Sequence, residues 1–226
     1  MISTFFKTVS LASVFFSAGL ATVKPVSAFT FGEAVLVAAV SAQDRGLSLP
    51  VVEEDQSVAA QKFIEKLGED AISFLSNNEL STDAKAKEFR RIMNASFDMK
   101  TIGRFVLGKN WRTATPEQQA EYQKLFNNMI VQVYTVRLDN YQGQKFEVGS
   151  VRDVGKKDLL VTSHILPTDS PKVKVDWRVR QKNGRYKIID VLIEGVSMSL
   201  TQRSDFSSVI QRGGGDIEVL LEHLRK

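Results

Sequence analysis

Between Pro171 and Arg212 the chain reads P-K-V-K-V-D-W-R-V-R-Q-K-N-G-R-Y-K-I-I-D-V-L-I-E-G-V-S-M-S-L-T-Q-R-S-D-F-S-S-V-I-Q-R. Its first part alternates with a period of two. Val173, Val175, Trp177 and Val179 fall on one face of a strand, and Lys172, Lys174, Asp176, Arg178 and Arg180 on the other. A sheet with one oily and one wet side results, with a helical pattern directly after it. Such an oily face either packs a core or lines a pocket.

The Asn183-Gly184 turn joins this strand to a second one over 186–194. A two-residue loop there sets Trp177 against Asp190 and mixes the faces. A three-residue loop, Lys182-Asn183-Gly184, sets Trp177 opposite Ile189, Val175 opposite Val191 and Val173 opposite Ile193. A one-residue slip exchanges every side chain between faces, so the three-residue loop is the expected one. It also places Asp176 directly opposite Asp190 on the wet face.

The rest of the chain reads helices first and strands afterwards. Ala60, Ile64, Leu67, Ala71, Ile72 and Leu75 recur at helical spacing up to Asn77-Asn78. Ser81 and Asp98 are expected N-caps of two further helices, the second stopped by Gly108. Thr115-Pro116-Glu117-Gln118 supplies a capping box before a long amphipathic helix through Tyr122, Phe126, Ile130 and Val133 to Arg137. Strands follow at Phe146–Val151, with a bulge expected at Gly149-Ser150, and at Leu159–Ile165. Helices over Met198–Gln211 and Ile217–Leu224 close the chain, separated by Gly213-Gly214-Gly215. This order predicts an α+β fold whose helices cover one face of the sheet.

The N-terminus has the layout of a secretory signal peptide. Lys7 precedes an uncharged run, Thr8–Val23, and Val26-Ser27-Ala28 forms a small-residue cleavage site. A second apolar stretch, Phe29–Val40, leads to Val40-Ser41-Ala42, so cleavage follows Ala28 or Ala42. The run of 16 residues is shorter than the roughly 20 of a spanning helix; an uncleaved anchor is the alternative. The expected divisions are a signal peptide over 1–28, a segment and linker over 29–55, and a domain over 56–226. Export from the cytoplasm follows, and without cysteine the fold holds by its core alone.

Reactive groups are scarce. There are two histidines, no cysteine, and no zinc, nucleophile-elbow or P-loop motif. The net charge of +4 comes from basic residues scattered among acids, which argues against nucleic acid as a partner. Asp176 and Asp190 are the best carboxylate pair, but Lys174 and Arg178 sit beside them on the wet face, so a surface ion network is the stronger reading. What the chain has in excess is 14 Phe with Trp111 and Trp177.

Two segments carry a resemblance to a known family. F-D-M-K-T-I-G-R-F-V-L-G-K-N-W-R-T-A-T-P-E-Q-Q-A-E-Y-Q-K-L-F (Phe97–Phe126) and Y-K-I-I-D-V-L-I-E-G-V-S-M-S-L-T-Q-R-S-D-F (Tyr186–Phe206) are similar to hallmarks of the MlaC family of periplasmic phospholipid-binding proteins, also called toluene-tolerance proteins. The likeness runs over roughly Gln56–Arg225. It implies a curved antiparallel NTF2-like sheet backed by helices around a hydrophobic pocket for acyl chains. It also implies phospholipid as cargo, no cofactor or metal, and no catalytic residues. The implied partners are an inner-membrane lipid ABC transporter complex and an outer-membrane lipoprotein. Related proteins are encoded with hopanoid synthesis, so a hopanoid-type lipid is the alternative cargo. An NTF2-like enzyme with an Asp base and a structural adaptor with a filled core are the competing classes.

Facing and resemblance together nominate the pocket. Val173, Val175, Trp177, Val191 and Ile193 form one wall; Phe97, Ile102, Phe105, Trp111, Phe126, Ile130, Tyr134 and Met198 are candidates for the opposite wall and rim.

Overall fold

Period-two and period-3.6 patterns both resolve into elements in the computed structural model, which describes residues 54–135, 141–155 and 157–226. The expected signal peptide, its two cleavage sites and Arg137 lie outside the described residues. Helices α1 (Glu54–Leu75), α2 (Thr82–Ser96), α3 (Met99–Leu107), α4 (Asn110–Thr113) and α5 (Pro116–Thr135) precede strands β1 (Lys145–Asp153), β2 (Asp158–Leu166), β3 (Val173–Lys182), β4 (Arg185–Ile193) and β5 (Val196–Ser197). Helices α6 (Met198–Arg212) and α7 (Ile217–Arg225) follow. The strands form one antiparallel sheet in chain order, an open curved α+β meander.

The caps fall where the sequence places them. Ser81 Oγ accepts from Ala84 N at 3.2 Å, and Asp98 Oδ1 from Thr101 N at 3.0 Å. Thr115 and Gln118 exchange both bonds of a capping box, at 3.1 and 3.2 Å. Each bond satisfies an N–H that the first turn of a helix leaves without a partner.

The hairpin register differs from the expected one. Asn183 and Gly184 form a two-residue loop, both at positive φ (51° and 72°), and Lys182 faces Arg185. That loop alone would mix the faces. An extra residue in β4, Ile189, stands between Ile188 (opposite Val179) and Asp190 (opposite Arg178). The bulge re-phases the strand so that Trp177 faces Val191 and Val175 faces Ile193. Apolar residues still pair with apolar ones, through a bulge rather than a longer loop. Asp176 lies opposite Leu192 instead of Asp190. The other expected bulge is present between Val148 and Val151 in β1.

Two clusters divide the interior. One joins the inner sheet face (Leu159, Val161, Val179, Ile188) to α1 and α2 through Ala60, Ile64, Leu67, Phe74 and Ile92. Gly68 allows the close approach of α1 to β1: a Cβ there would lie 2.3 Å from the Phe146 ring. The other cluster is helical, built by α3, α5, α6 and α7 around Tyr122, Phe126, Phe206 and Leu220. Helix α5 packs mainly on α2, α3 and α7.

Candidate functional site

The nominated residues separate by the company they keep. Ile102 and Phe126 are buried in the helical cluster, and Trp111 and Ile130 pack against it. Phe126 stacks on Tyr122 at 5.7 Å between ring centroids and meets Phe206 edge-on at 6.2 Å. Trp177 and Val191 pack against the sheet cluster, and Phe97 touches both. All seven take part in the packing of these clusters.

Val173, Val175, Ile193, Met198 and Tyr134 belong to neither cluster. Val175 and Ile193 are cross-strand partners on the inner sheet face, and Val173 lies on the same face opposite Ile165. Val173, Ile165 and Ile193 are only half-buried, whereas Val161, Val179 and Ile188 at the other end of that face are sealed. The oily face is therefore sealed at one end, while at the other Val175 is covered and Val173, Ile165 and Ile193 keep part of their surface in water. Tyr134, on the last turn of α5, packs its ring 6.3 Å from Phe89. Phe105 lies apart from all of them, 42% exposed with the Arg203 guanidinium 5.2 Å above its ring.

Polar groups on the inner face are few and satisfied. Ser163 Oγ accepts from the Trp177 indole N–H at 2.8 Å and donates to the Val175 carbonyl at 3.1 Å, which fixes the ring against the sheet. Tyr122 donates to the Gly103 carbonyl at 3.0 Å, and burial pushes its phenol pKa up, so it stays neutral.

The acids serve the fold. Asp190 accepts from Ser197 Oγ at 2.6 Å and Ser199 N at 3.1 Å, tying β4 to the start of α6. A carboxylate there also meets the positive end of the helix dipole. Asp176 is on the outer face as expected, yet only 2% exposed; Thr162 donates to it at 2.6 Å and Lys174 pairs with it at 3.0 Å. Asp158 pairs with Arg180 at 2.6 Å and Arg178 at 3.1 Å. Asp176 and Asp190 are out of phase with the oily residues of β3 and do not lie on that face. Among the described residues no group of three His, Asp or Glu is arranged to hold a metal.

Burial by itself would raise the Asp158 carboxyl; hydrogen bonds from Arg180 and the charges of both arginines more than offset it, and the pKa falls below the ordinary value. A depressed folded pKa stabilises the fold above the unfolded value of ~3.9 and loses that stabilisation as pH falls through the folded one. Asp98 is lowered too: burial opposes the shift, but the bonds from Thr101 and Lys182 outweigh it. Urea midpoints are therefore expected to drop below about pH 4. Asp158→Asn should flatten that slope and cost roughly 1–3 kcal/mol at neutral pH, the arginines being partly solvated. Equal slopes for variant and wild type would remove Asp158 from the acid response.

An open concavity lies elsewhere. About 630 Å³ in volume and open to solvent, it is lined by Phe97, Met99 and Asn94 with Asp98, Lys182 and Lys187, at the β3–β4 turn. Two of its cations are engaged: Lys182 with Asp98 at 3.4 Å, and Lys187 with the Asn94 and Ala95 carbonyls that end α2. Of the proposed wall it includes only Phe97.

Comparison with known proteins sets these features in context. The family profile described as MlaC protein matches residues 65–226. The chain belongs to the MlaC family. It is 25% identical over 123 residues to the intermembrane phospholipid transport system binding protein MlaC of Haemophilus influenzae, covering 53% of this chain and 58% of that protein. It is 23% identical over 133 residues to the toluene tolerance protein ttg2D of Pseudomonas putida, covering 58% and 62%. The chain thus matches about three-fifths of the length of these MlaC relatives. The phospholipid-binding protein of Ralstonia solanacearum, solved with a phospholipid, superposes with a TM-score of 0.64 at 24% identity, over 74% of this chain and 94% of that one. That likeness establishes the fold.

Sequence reasoning missed four features around the site. Helix α4 and strand β5 are too short to show a period. The bulge at Ile189 carries no glycine to mark it. The role of Asp190 in capping α6 was legible only as an Asp preceding a Ser-x-Ser.

Proposed function

We propose that this MlaC-family chain is a soluble periplasmic carrier that binds phospholipid and shuttles it between the inner and outer membranes. The supporting observation is one end of the oily sheet face: Val173 and Ile193 are only half-buried there, and with Val175 they point inward yet join neither packed cluster. Acyl chains lie along these residues, with Met198 and Tyr134 completing the wall and Trp177 and Val191 closing the sealed end. The headgroup stays in water. Each methylene removed from water contributes about 0.8 kcal/mol, so two chains supply ample driving force.

The reading contains no catalytic step and no resident cofactor; phospholipid is cargo. The H. influenzae relative is a binding protein of a phospholipid transport system, and the R. solanacearum neighbour was solved with a phospholipid. Delivery runs between an inner-membrane lipid ABC transporter complex and an outer-membrane lipoprotein, maintaining lipid asymmetry. Export uses the signal peptide expected at the N-terminus. No helix of the described residues is long and apolar enough to cross a membrane.

Organic extraction of the purified mature protein, followed by mass spectrometry, is expected to yield near-stoichiometric phospholipid. A hopanoid in its place would reassign the cargo. An empty protein whose melting temperature ignores added lipid would overturn the carrier reading in favour of a filled-core adaptor.

A further inference from the structure

Large apolar side chains left exposed are few among the described residues, and three of them gather around the start of α6. Val196 and Leu200 are each 56% exposed and Phe105 is 42% exposed. Val196 sits at the tip of the two-residue β4–β5 turn, where Glu194 and Gly195 both take positive φ. Leu200 is on the first turn of α6 and borders, with Arg203, a shallow depression of about 440 Å³. Arg203 in turn covers the Phe105 ring of α3 and lies against Gly108. Phe105 and Leu200 are thus linked through one arginine, and Val196 precedes Leu200 by four residues.

The same corner concentrates positive charge. The segment Met99–Ala114, which forms α3 and α4, contains Lys100, Arg104, Lys109 and Arg112 and no acid. Helix α6 adds Arg203 and Arg212 against Asp205 alone. Among the described residues none of these cations stands in an ion pair, whereas Lys174, Arg178, Arg180, Lys182 and Arg225 all do. Arg104 lies 6.0 Å from the Trp111 ring centroid, so both stacked arginines hold an aromatic body beneath an unpaired charge. Aromatic and aliphatic groups ringed by unpaired arginine and lysine match the headgroup layer of an anionic bilayer, where phosphates meet the cations and short apolar side chains dip below them.

We propose that this α3–α6 corner, with the β4–β5 tip, is a docking face for an anionic lipid surface. It is separate from the wall assigned to the acyl chains and brings the carrier to a membrane without opening its sheet cluster. The proposal does not depend on which lipid is carried.

Co-sedimentation of the purified mature protein with vesicles tests it. Vesicles of phosphatidylcholine with one-third phosphatidylglycerol should bind the protein, and pure phosphatidylcholine should bind it at least about tenfold more weakly. Raising NaCl from ~0.05 to ~0.5 M should weaken the anionic binding about tenfold. The double variant Val196→Ser/Leu200→Ser should lose about tenfold in vesicle binding while keeping its melting temperature and its extractable lipid. Equal binding to both vesicle types, or unchanged binding by the double variant, would overturn the docking face. Binding that requires a membrane protein in the vesicles would assign the face to a protein partner and overturn the bilayer reading. Extractable lipid is measured in parallel, so failure of docking and failure of the carrier reading give different results.

Discussion

Ile193→Glu should leave a folded protein that no longer retains lipid. Ile193 is half-buried on the inner sheet face, opposite Val175, and belongs to neither packed cluster. In the empty protein a glutamate there keeps contact with water, because the position is only half-buried. With acyl chains in place it must lose that water or ionise against hydrocarbon. A penalty of even ~2 kcal/mol lowers occupancy about 30-fold, and a charged group exceeds that. The measurement is extractable lipid per protein, with circular dichroism as the folding control and Ile193→Leu as the size-conserving companion that keeps its lipid. A folded Ile193→Glu protein carrying wild-type amounts of lipid would take Ile193 out of the wall. The same change at Val175 is less informative, because that residue is 4% exposed and a carboxylate there opposes folding itself.

Phe126→Ala should strike stability rather than cargo. The ring is 1% exposed, stacked on Tyr122 and edge-on to Phe206. Its removal costs about 3–5 kcal/mol through lost transfer energy and the cavity left between α3, α5 and α6. For a domain of this size that lowers the melting temperature by roughly 6–20 °C. Phe126→Leu should recover most of the loss. A Phe126→Ala protein that melts like wild type but emerges without lipid would reverse the assignment, making the ring a wall residue.

These two expectations divide a list of residues that look alike in sequence. Phe126, Ile130, Val173 and Ile193 all satisfy an amphipathic period, and a period reports only which side of an element faces inward. Whether the inward side meets another side chain or a gap depends on how the layers are spaced. Here α5 packs on α2, α3 and α7, which draws Phe126 into a helical core and leaves Val173 and Ile193 outside both clusters. Phe105 shows the converse: its period places it with Ile102, yet α3 is so short that the Arg203 side chain of α6 covers it at the surface.

Sequence by itself determined the elements, because their causes are local. A capping box at Thr115–Gln118, an N-cap at Asp98 and the alternation from Val173 to Val179 act over a few residues and appear as bonds and facings in the fold. It also determined the family, through two long segments in the right order. Only the tertiary structure decided the hairpin phase, since the Asn-Gly loop takes its preferred geometry and a bulge at Ile189 then corrects the register. It likewise decided that Asp176 is buried, that Asp190 holds α6 to the sheet, and that Val173 and Ile193 stay half-buried outside both clusters. Those outcomes depend on contacts between residues far apart in the chain, and no local pattern contains them.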